Sequence, residues 1–484
     1  MPAETIVLNG ISGETGNYLV PPLEPSRVAA LVKGEVADQG VVRWLGRVWR
    51  KVSRPFLGLP LGVDPTDVSQ AGWAIVFSTD EPQEVRDALG RLIEHRQALC
   101  GEKKTKVLDI RPGEKWQEWL ERHGDAPGTV TPTKVPFYLL LVGSPERISY
   151  EHQYLLSVER AVGRLHFDSV DGYTRYVQSL IDHEQGQMPP RARVAAFLGT
   201  RHDFDAATQL SADLLVRPLA YGTPGLAAEP AEPGVADRWG FATRAFVKDS
   251  ATKANLAELL HGTVGGEAIA FAFTATHGMG WPVDSADQQA KQGALLSQDW
   301  PGIGSISASQ YLTAAEVSDD ARVQGMILFH FACYGAGTPR YDNFLHEPGQ
   351  PPPAVADQAF VAALPKRMLS HPNGAALAVI GHVERAWGCS FVSQASGPQL
   401  QPFRNAIGRI LTQAPVGYAM RDFRERYAAL STNLSNMLQD INSYQAHIDD
   451  DELADAWLER NDAQNYTVTG DPAVRLRVHD PAES

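Results

Sequence analysis

Two residues of this chain have the type and setting for covalent chemistry. Cys333 follows the apolar run at 327–332 and leads into Tyr334-Gly335-Ala336-Gly337. His277 ends a second apolar run, at 268–276, and leads into Gly278. A thiolate attacks a carbonyl far better than a thiol, so a nucleophilic Cys needs a neighbouring base to take its proton. His277 would supply that base and then protonate the leaving amine. The tetrahedral intermediate needs donors for its oxyanion. The backbone N–H groups of Gly278 and Cys333 are the natural ones, since a strand end does not spend all its amides on the ladder. Glycine at 278 also lets a substrate carbonyl approach closely.

Each residue alone has a plainer reading. Free cysteines commonly fill core space, and a His at a strand end is often simply hydrogen-bonded there. His382 also follows an apolar run, but Val383 after it removes the easy oxyanion donor, so it ranks below His277 as a base. A zinc set of Cys333, His277, His330 and Cys389 has neither C-x-x-C nor H-E-x-x-H spacing. If the strand is regular, His330 lies on the opposite face from Cys333. No metal or other cofactor is expected.

The elements that must hold the pair are apolar runs ended by glycine, which suit buried strands of a parallel sheet. Open α/β sheets place their ligand crevices at the carboxyl ends of such strands. Strands are expected at 71–78, 106–110, 135–142, 194–198, 268–276, 327–332 and 376–380, with a short one at 6–8. Helices are expected at 84–99, 115–122, 172–181, 206–215, 253–260, 356–364, 398–411 and 416–440, with Pro365 ending or kinking the sixth of these. Alternation of strands and helices gives the α/β class. Turn residues at 185–191 mark a boundary. It separates an N-terminal α/β subdomain without the dyad, residues 1–188, from a catalytic domain, 189–484. Pro-rich loops are expected at 222–234 and 346–353.

The chain has 484 residues, 43% of them hydrophobic, and a formal net charge of −14. That balance argues against nucleic acid or an anionic membrane surface as partner. Three cysteines suggest no disulfide framework. The opening residues lack a signal-peptide pattern, and no apolar run reaches the roughly 18 residues of a spanning helix. A cytoplasmic, reducing setting is the expectation.

The residues Thr276-His277-Gly278 and Phe331-Ala332-Cys333-Tyr334-Gly335, with the tail Gly470-Asp471-Pro472-Ala473-Val474-Arg475-Leu476, resemble the caspase-like (clan CD) cysteine peptidases. These include caspases, gingipains and bacterial CHAT-domain proteases, and the match covers roughly residues 190–480. The resemblance implies a caspase-like, mostly parallel sheet flanked by helices, preceded by a second α/β, pseudo-caspase subdomain by analogy with gingipains. It implies His277 as general acid/base, Cys333 as nucleophile and Gly278 as oxyanion donor. The acid that metacaspases carry two residues before the Cys is Phe331 here, and the caspase Q-A-C-x-G is absent.

The same resemblance places the specificity pocket between the loop after the first strand of the domain and the loop after the strand that follows Cys333. Asp203 or Asp205 would bind a basic side chain there, with Trp387 along its stem. Arg385 or Arg201 would instead select an acidic one. The plainer alternatives are that Asp203 caps the following helix and that Trp387 is core. Caspase-like enzymes are commonly latent, so Arg340 and Arg238, in or beside the two exposed loops, are candidate activation sites. The expected function is a thiol endopeptidase acting on protein substrates. It would be a latent bacterial signalling or antiviral-defence zymogen, released by an upstream protease or a regulatory protein. The alternatives are an inactive caspase-like scaffold that binds a partner protein and, more distantly, an acyl transferase using the same dyad.

Overall fold

A computed structural model describes residues 10–20, 23–34, 58–225, 230–302, 304–344, 350–393 and 397–479. The strand expected at 6–8 lies outside the described residues. Among the described residues the main sheet has ten strands. In chain order they are β1 (Trp73–Ser78), β2 (Thr105–Ile110), β3 (Tyr138–Val142), β4 (Ala161–Leu165), β5 (Val194–Gly199), β6 (Ala242–Val247), β7 (Phe271–Ala275), β8 (Ile327–Phe331), β9 (Ala378–His382) and β10 (Tyr466–Gly470). Their spatial order is β2-β1-β3-β4-β10-β9-β8-β7-β5-β6. The central strands are buried at every residue, as parallel strands covered on both faces must be.

All neighbours in this sheet pair in parallel except β9 and β10. The strand β10 runs with β4 and against β9, so two parallel blocks point in opposite senses. Their carboxyl ends therefore face opposite edges of the sheet. The loops after β1–β4 lie away from the edge that carries His277 and Cys333. The fold is thus mixed α/β with a large, mostly parallel sheet flanked by helices, as the sequence predicts.

The helices that matter below are α1 (Pro25–Gly34), α2 (Gly90–Cys100), α3 (Val170–Glu184), α4 (Ala206–Ser211), α5 (Ala363–Leu369), α6 (Gln401–Leu411), α7 (Arg421–Tyr444) and α8 (Asp450–Gln464). The expected boundary at 185–191 falls in the connection between α3 and β5. The helix expected at 356–364 is a misreading. A short strand, Phe360–Val361, occupies part of that stretch, and α5 begins only at Ala363. Pro365 sits in the first turn of α5, where its missing N–H costs nothing, so it starts the helix rather than ending it.

The tail motif is structural in its contacts. Gly470 has φ +117°, and a Cβ there would lie 2.6 Å from the Leu377 carbonyl oxygen. Asp471 is buried and accepts from Trp73 Nε1 at 3.0 Å, Arg96 Nε at 3.0 Å and its own loop at Ala473 N, 2.9 Å. Arg96 on α2 also pairs with Glu184 on α3. One carboxylate thus ties the last strand to the first block.

Candidate active site

His277 and Cys333 stand at matching positions. The register pairs Ala275 with Phe331, and each functional residue comes two places later. Apolar packing holds both strand ends: Phe273 against Phe329 at 5.3 Å between centroids, and Phe331 against Phe391 at 5.5 Å. Gly278 lies directly against the Cys333 backbone. A Cβ at 278 would be 1.8 Å from Cys333 O and 2.6 Å from Cys333 N. Only glycine permits this approach, which brings the two expected oxyanion donors side by side.

The imidazole of His277 is fully buried and held at both nitrogens. Nε2 is 2.7 Å from Asp205 Oδ2. Nδ1 accepts a hydrogen bond from the backbone N–H of Gly10, at 2.8 Å. An N–H donor at Nδ1 and a carboxylate at Nε2 fix the neutral tautomer protonated on Nε2. Tyr18 and Trp300 flank the ring edge-on, at 6.0 and 5.8 Å between centroids.

Asp205 is therefore bound to His277 and is not open to a substrate side chain. It also accepts from the Tyr18 hydroxyl and caps α4 through Ala207 N and Thr208 N. Burial alone would raise its pKa, but His277 and the bonds from Thr208 and Tyr18 outweigh that and hold the carboxyl well below the usual range. Burial, then Asp205 itself, hold the Tyr18 phenol protonated far above its ordinary range.

The Cys333 thiol is fully buried and points toward the loop after β9. It accepts from Ala386 N at 3.2 Å and lies 3.8 Å from Ala386 O. Burial pushes its pKa up to about 12, although the Ala386 amide works the other way. Tyr334, the next residue, has φ +57°, an uncommon conformation for a non-glycine side chain.

The chain's own N-terminal segment packs over the pair. Ile11–Ser12 pairs in parallel with Met279–Gly280, just past His277. Ile11 N donates to Gly278 O, and Gly13 N donates to Gly280 O. Gly10, at φ +138°, is close enough that a Cβ would sit 3.0 Å from the Cys333 sulfur. A tight turn returns the chain: Leu19 N donates to Gly10 O, and Gly16 N to Ser12 O. The glycine spacing at 10, 13 and 16 is visible in the sequence but reads there only as loop. No local pattern announces that it meets a residue 267 positions away.

The other expected pocket residues are engaged elsewhere. The side chain of Asp203 is 72% exposed and pairs with Arg201 and Lys248. It is Asp205, not Asp203, that caps the helix. Arg201 pairs also with Asp213. Trp387 is fully buried and packs on Phe344 at 5.1 Å. Arg385 is buried in ion pairs with Asp342 and Glu384. Arg340 stacks over Tyr341 and Arg238 over Trp239. His382 is held between Asp462 and the Glu384 carbonyl, under Tyr466. His330 pairs with Thr274 at 2.7 Å.

Among the described residues no cluster of three or more His, Cys, Asp or Glu could hold a metal ion. Among them, too, no helix is long and apolar enough to cross a membrane.

No protein-family model matches the chain, and no curated protein matches it. Solved structures do resemble it. One described as "Structure of Protease" aligns at TM-score 0.47 and 13% identity, over 84% of this chain and 79% of that one. The Arg-specific cysteine proteinase gingipain R aligns at TM-score 0.44 and 12% identity, over 84% and 79%. A complex of the pro- and mature domains of the Porphyromonas gingivalis enzyme aligns at 0.43 and 13%, over 84% and 81%. The likenesses run over most of both chains at low identity, and no activity or specificity is carried over from them.

Proposed function

We propose that this chain is a caspase-like cysteine endopeptidase, with Cys333 as nucleophile and His277 as general acid/base. One observation carries the reading: the two residues follow adjacent parallel strands at equal offsets from a paired position. The Gly278 and Cys333 amides, brought together by the missing Cβ at 278, are the oxyanion donors. Asp205 positions His277: it accepts the Nε2 proton, which makes Nδ1, occupied by the Gly10 N–H in the closed chain, the nitrogen that takes the thiol proton once that segment moves aside, and it stabilises the imidazolium that follows. The thiolate adds to a substrate carbonyl, the amine leaves with a proton from His277, and water hydrolyses the thioester.

The substrates are proteins, and no cofactor enters these steps. The enzyme is latent, with bacterial signalling or defence as its setting, and an upstream protease cutting at Arg340 or Arg238 is one route to release. Both functional side chains are wholly buried, which supports latency. The same burial favours the second reading, an inactive scaffold that binds a partner protein.

A peptide library read by mass spectrometry separates the two. Cleavage that vanishes in Cys333→Ala and in His277→Ala, with thermal midpoints near wild type, is the expected outcome. Unchanged cleavage in either variant overturns the assignment. A library left intact by every form, including chain cut at Arg340, favours the scaffold.

A further inference from the structure

The loop at 383–390 leaves the carboxyl end of β9, turns toward the end of β8 and brings a backbone N–H to the sulfur. The register sets the approach: His330 on β8 pairs with Gly381 on β9. Ala386 N then lies 3.2 Å from Cys333 Sγ. The carbonyl oxygen of the same residue is 3.8 Å from Sγ, where it faces the thiol proton.

The chain is clamped on both sides of that N–H. Before it, the Glu384 carbonyl accepts from Tyr334 N at 2.8 Å, and Arg385 is buried in its pairs with Asp342 and Glu384. After it, Trp387 N donates to Asp462 Oδ1 at 3.0 Å. Ser390 bonds the second oxygen of the same carboxylate and accepts from the Tyr466 hydroxyl at 2.7 Å. His382 closes the set, with Nε2 3.2 Å from Asp462 Oδ1 and Nδ1 3.1 Å from the Glu384 carbonyl. A buried hydrogen-bonded network of this kind rigidifies what it holds. Here it holds one loop, and it does so from α8, 129 positions past the nucleophile (462 minus 333).

We propose that the Ala386 N–H is a third donor of the active site, which meets the charge of the Cys333 thiolate before attack and receives it again when the thioester is cleaved. The inference rests on Cys333 being the nucleophile of the proposed peptidase and adds a group to that chemistry. A hydrogen bond to the charged form of a thiol favours that form. The Gly278 and Cys333 amides serve the charge on the carbonyl oxygen, and Ala386 serves the charge on sulfur. The thiol proton passes to His277, Sγ bonds to the substrate carbonyl carbon, and the amine leaves with the proton that His277 holds. In the second half His277 takes a proton from water, and hydroxide adds to the thioester carbonyl. The C–S bond breaks, the thiolate returns to Ala386 N, and His277 gives its proton back to the sulfur.

The test deletes this N–H alone. A backbone ester at position 386, made by placing lactic acid there in the whole chain, keeps the methyl group and the planar link. Labelling of Cys333 by iodoacetamide at mildly alkaline pH is followed by intact mass beside wild type, with the thermal midpoint as the check on folding. The ester should label roughly 3- to 10-fold more slowly at a nearly unchanged midpoint, because losing a donor lowers the thiolate fraction while higher nucleophilicity returns part of the rate. The sign separates this role from packing. A loop that only covered the sulfur would expose it when weakened, and labelling would speed up. An ester that labels as fast as wild type or faster overturns the inference.

A peptide library offered to wild type and Cys333→Ala measures the reading beneath it. Library cleavage by wild type, with the ester labelling at the wild-type rate, overturns this inference alone. Slower labelling of the ester in a chain that cleaves nothing supports the donor and removes the endopeptidase reading. Cleavage unchanged in Cys333→Ala removes both.

Discussion

Asp205 has two tasks that a single substitution can separate. It caps α4 and it orients His277. Asparagine caps a helix about as well as aspartate, but it carries no charge to favour the imidazolium. Asp205→Asn should therefore lower kcat/KM by about 10²–10⁴-fold while keeping the helix cap, with a drop in thermal midpoint at neutral pH that shrinks as pH falls, because the charged contact to His277 is lost. The pH dependence of stability has a definite sign. The Asp205 pKa is lowered on folding, so its contribution is present above the unfolded carboxylate value and lost as pH falls through the folded one. Wild-type stability should fall more steeply than that of Asp205→Asn between about pH 5 and 2, as denaturant titrations would reveal. The thiol behaves oppositely. With its pKa pushed up to about 12 by burial, Cys333 should react slowly with iodoacetamide at neutral pH and faster as pH rises. A fast, pH-independent reaction would contradict the closed geometry.

The segment 10–19 sets that reactivity through its turn. Gly16 has φ +68°, and a Cβ there would lie 1.5 Å from the Gly304 carbonyl oxygen. Gly16→Ala should dislodge the turn and raise the iodoacetamide rate at Cys333 by roughly 10-fold or more at neutral pH, since burial is what keeps the thiol protonated. An unchanged rate would mean that the turn does not hold the segment in place. The strands that carry the dyad were legible in the sequence because buried parallel strands are written as unbroken apolar runs. Most helix positions followed from periodicity for a similar reason. The reading failed where position, not residue type, decides. Pro365 breaks a helix interior but suits a first turn. Asp203 and Asp205 have the same chemistry, and only the path of the loop gives one to His277 and leaves the other in solvent. Trp387 and Arg385 have the composition of a pocket, yet both are spent on Phe344, Asp342 and Glu384. Contacts between residues hundreds of positions apart leave no local trace.

At the scale of the molecule, the two blocks of strands are joined through β10 and the carboxylate that follows it. Asp471 is buried between Arg96 and Trp73. Its replacement by alanine leaves a buried guanidinium short of a partner, so Asp471→Ala should cost about 3–5 kcal/mol of unfolding free energy. Urea denaturation would measure it, and a loss below about 1 kcal/mol would show that the junction is held mainly by the ladder. The placement of β10 also bears on timing. It lies between β4 and β9, and its residue Val468 pairs with Gly163. A ribosome adding about 5–20 residues per second needs on the order of tens of seconds to travel from one to the other. Until then the two blocks are separate sheets, each with an unpaired edge where the other belongs, and His382 lacks the Asp462 and Tyr466 that enclose it. The central strand is thus made long after the first block it completes. A nascent chain carries both Cys333 and His277 well before its sheet can close around them, so on the proposed function proteolytic competence would wait for β10.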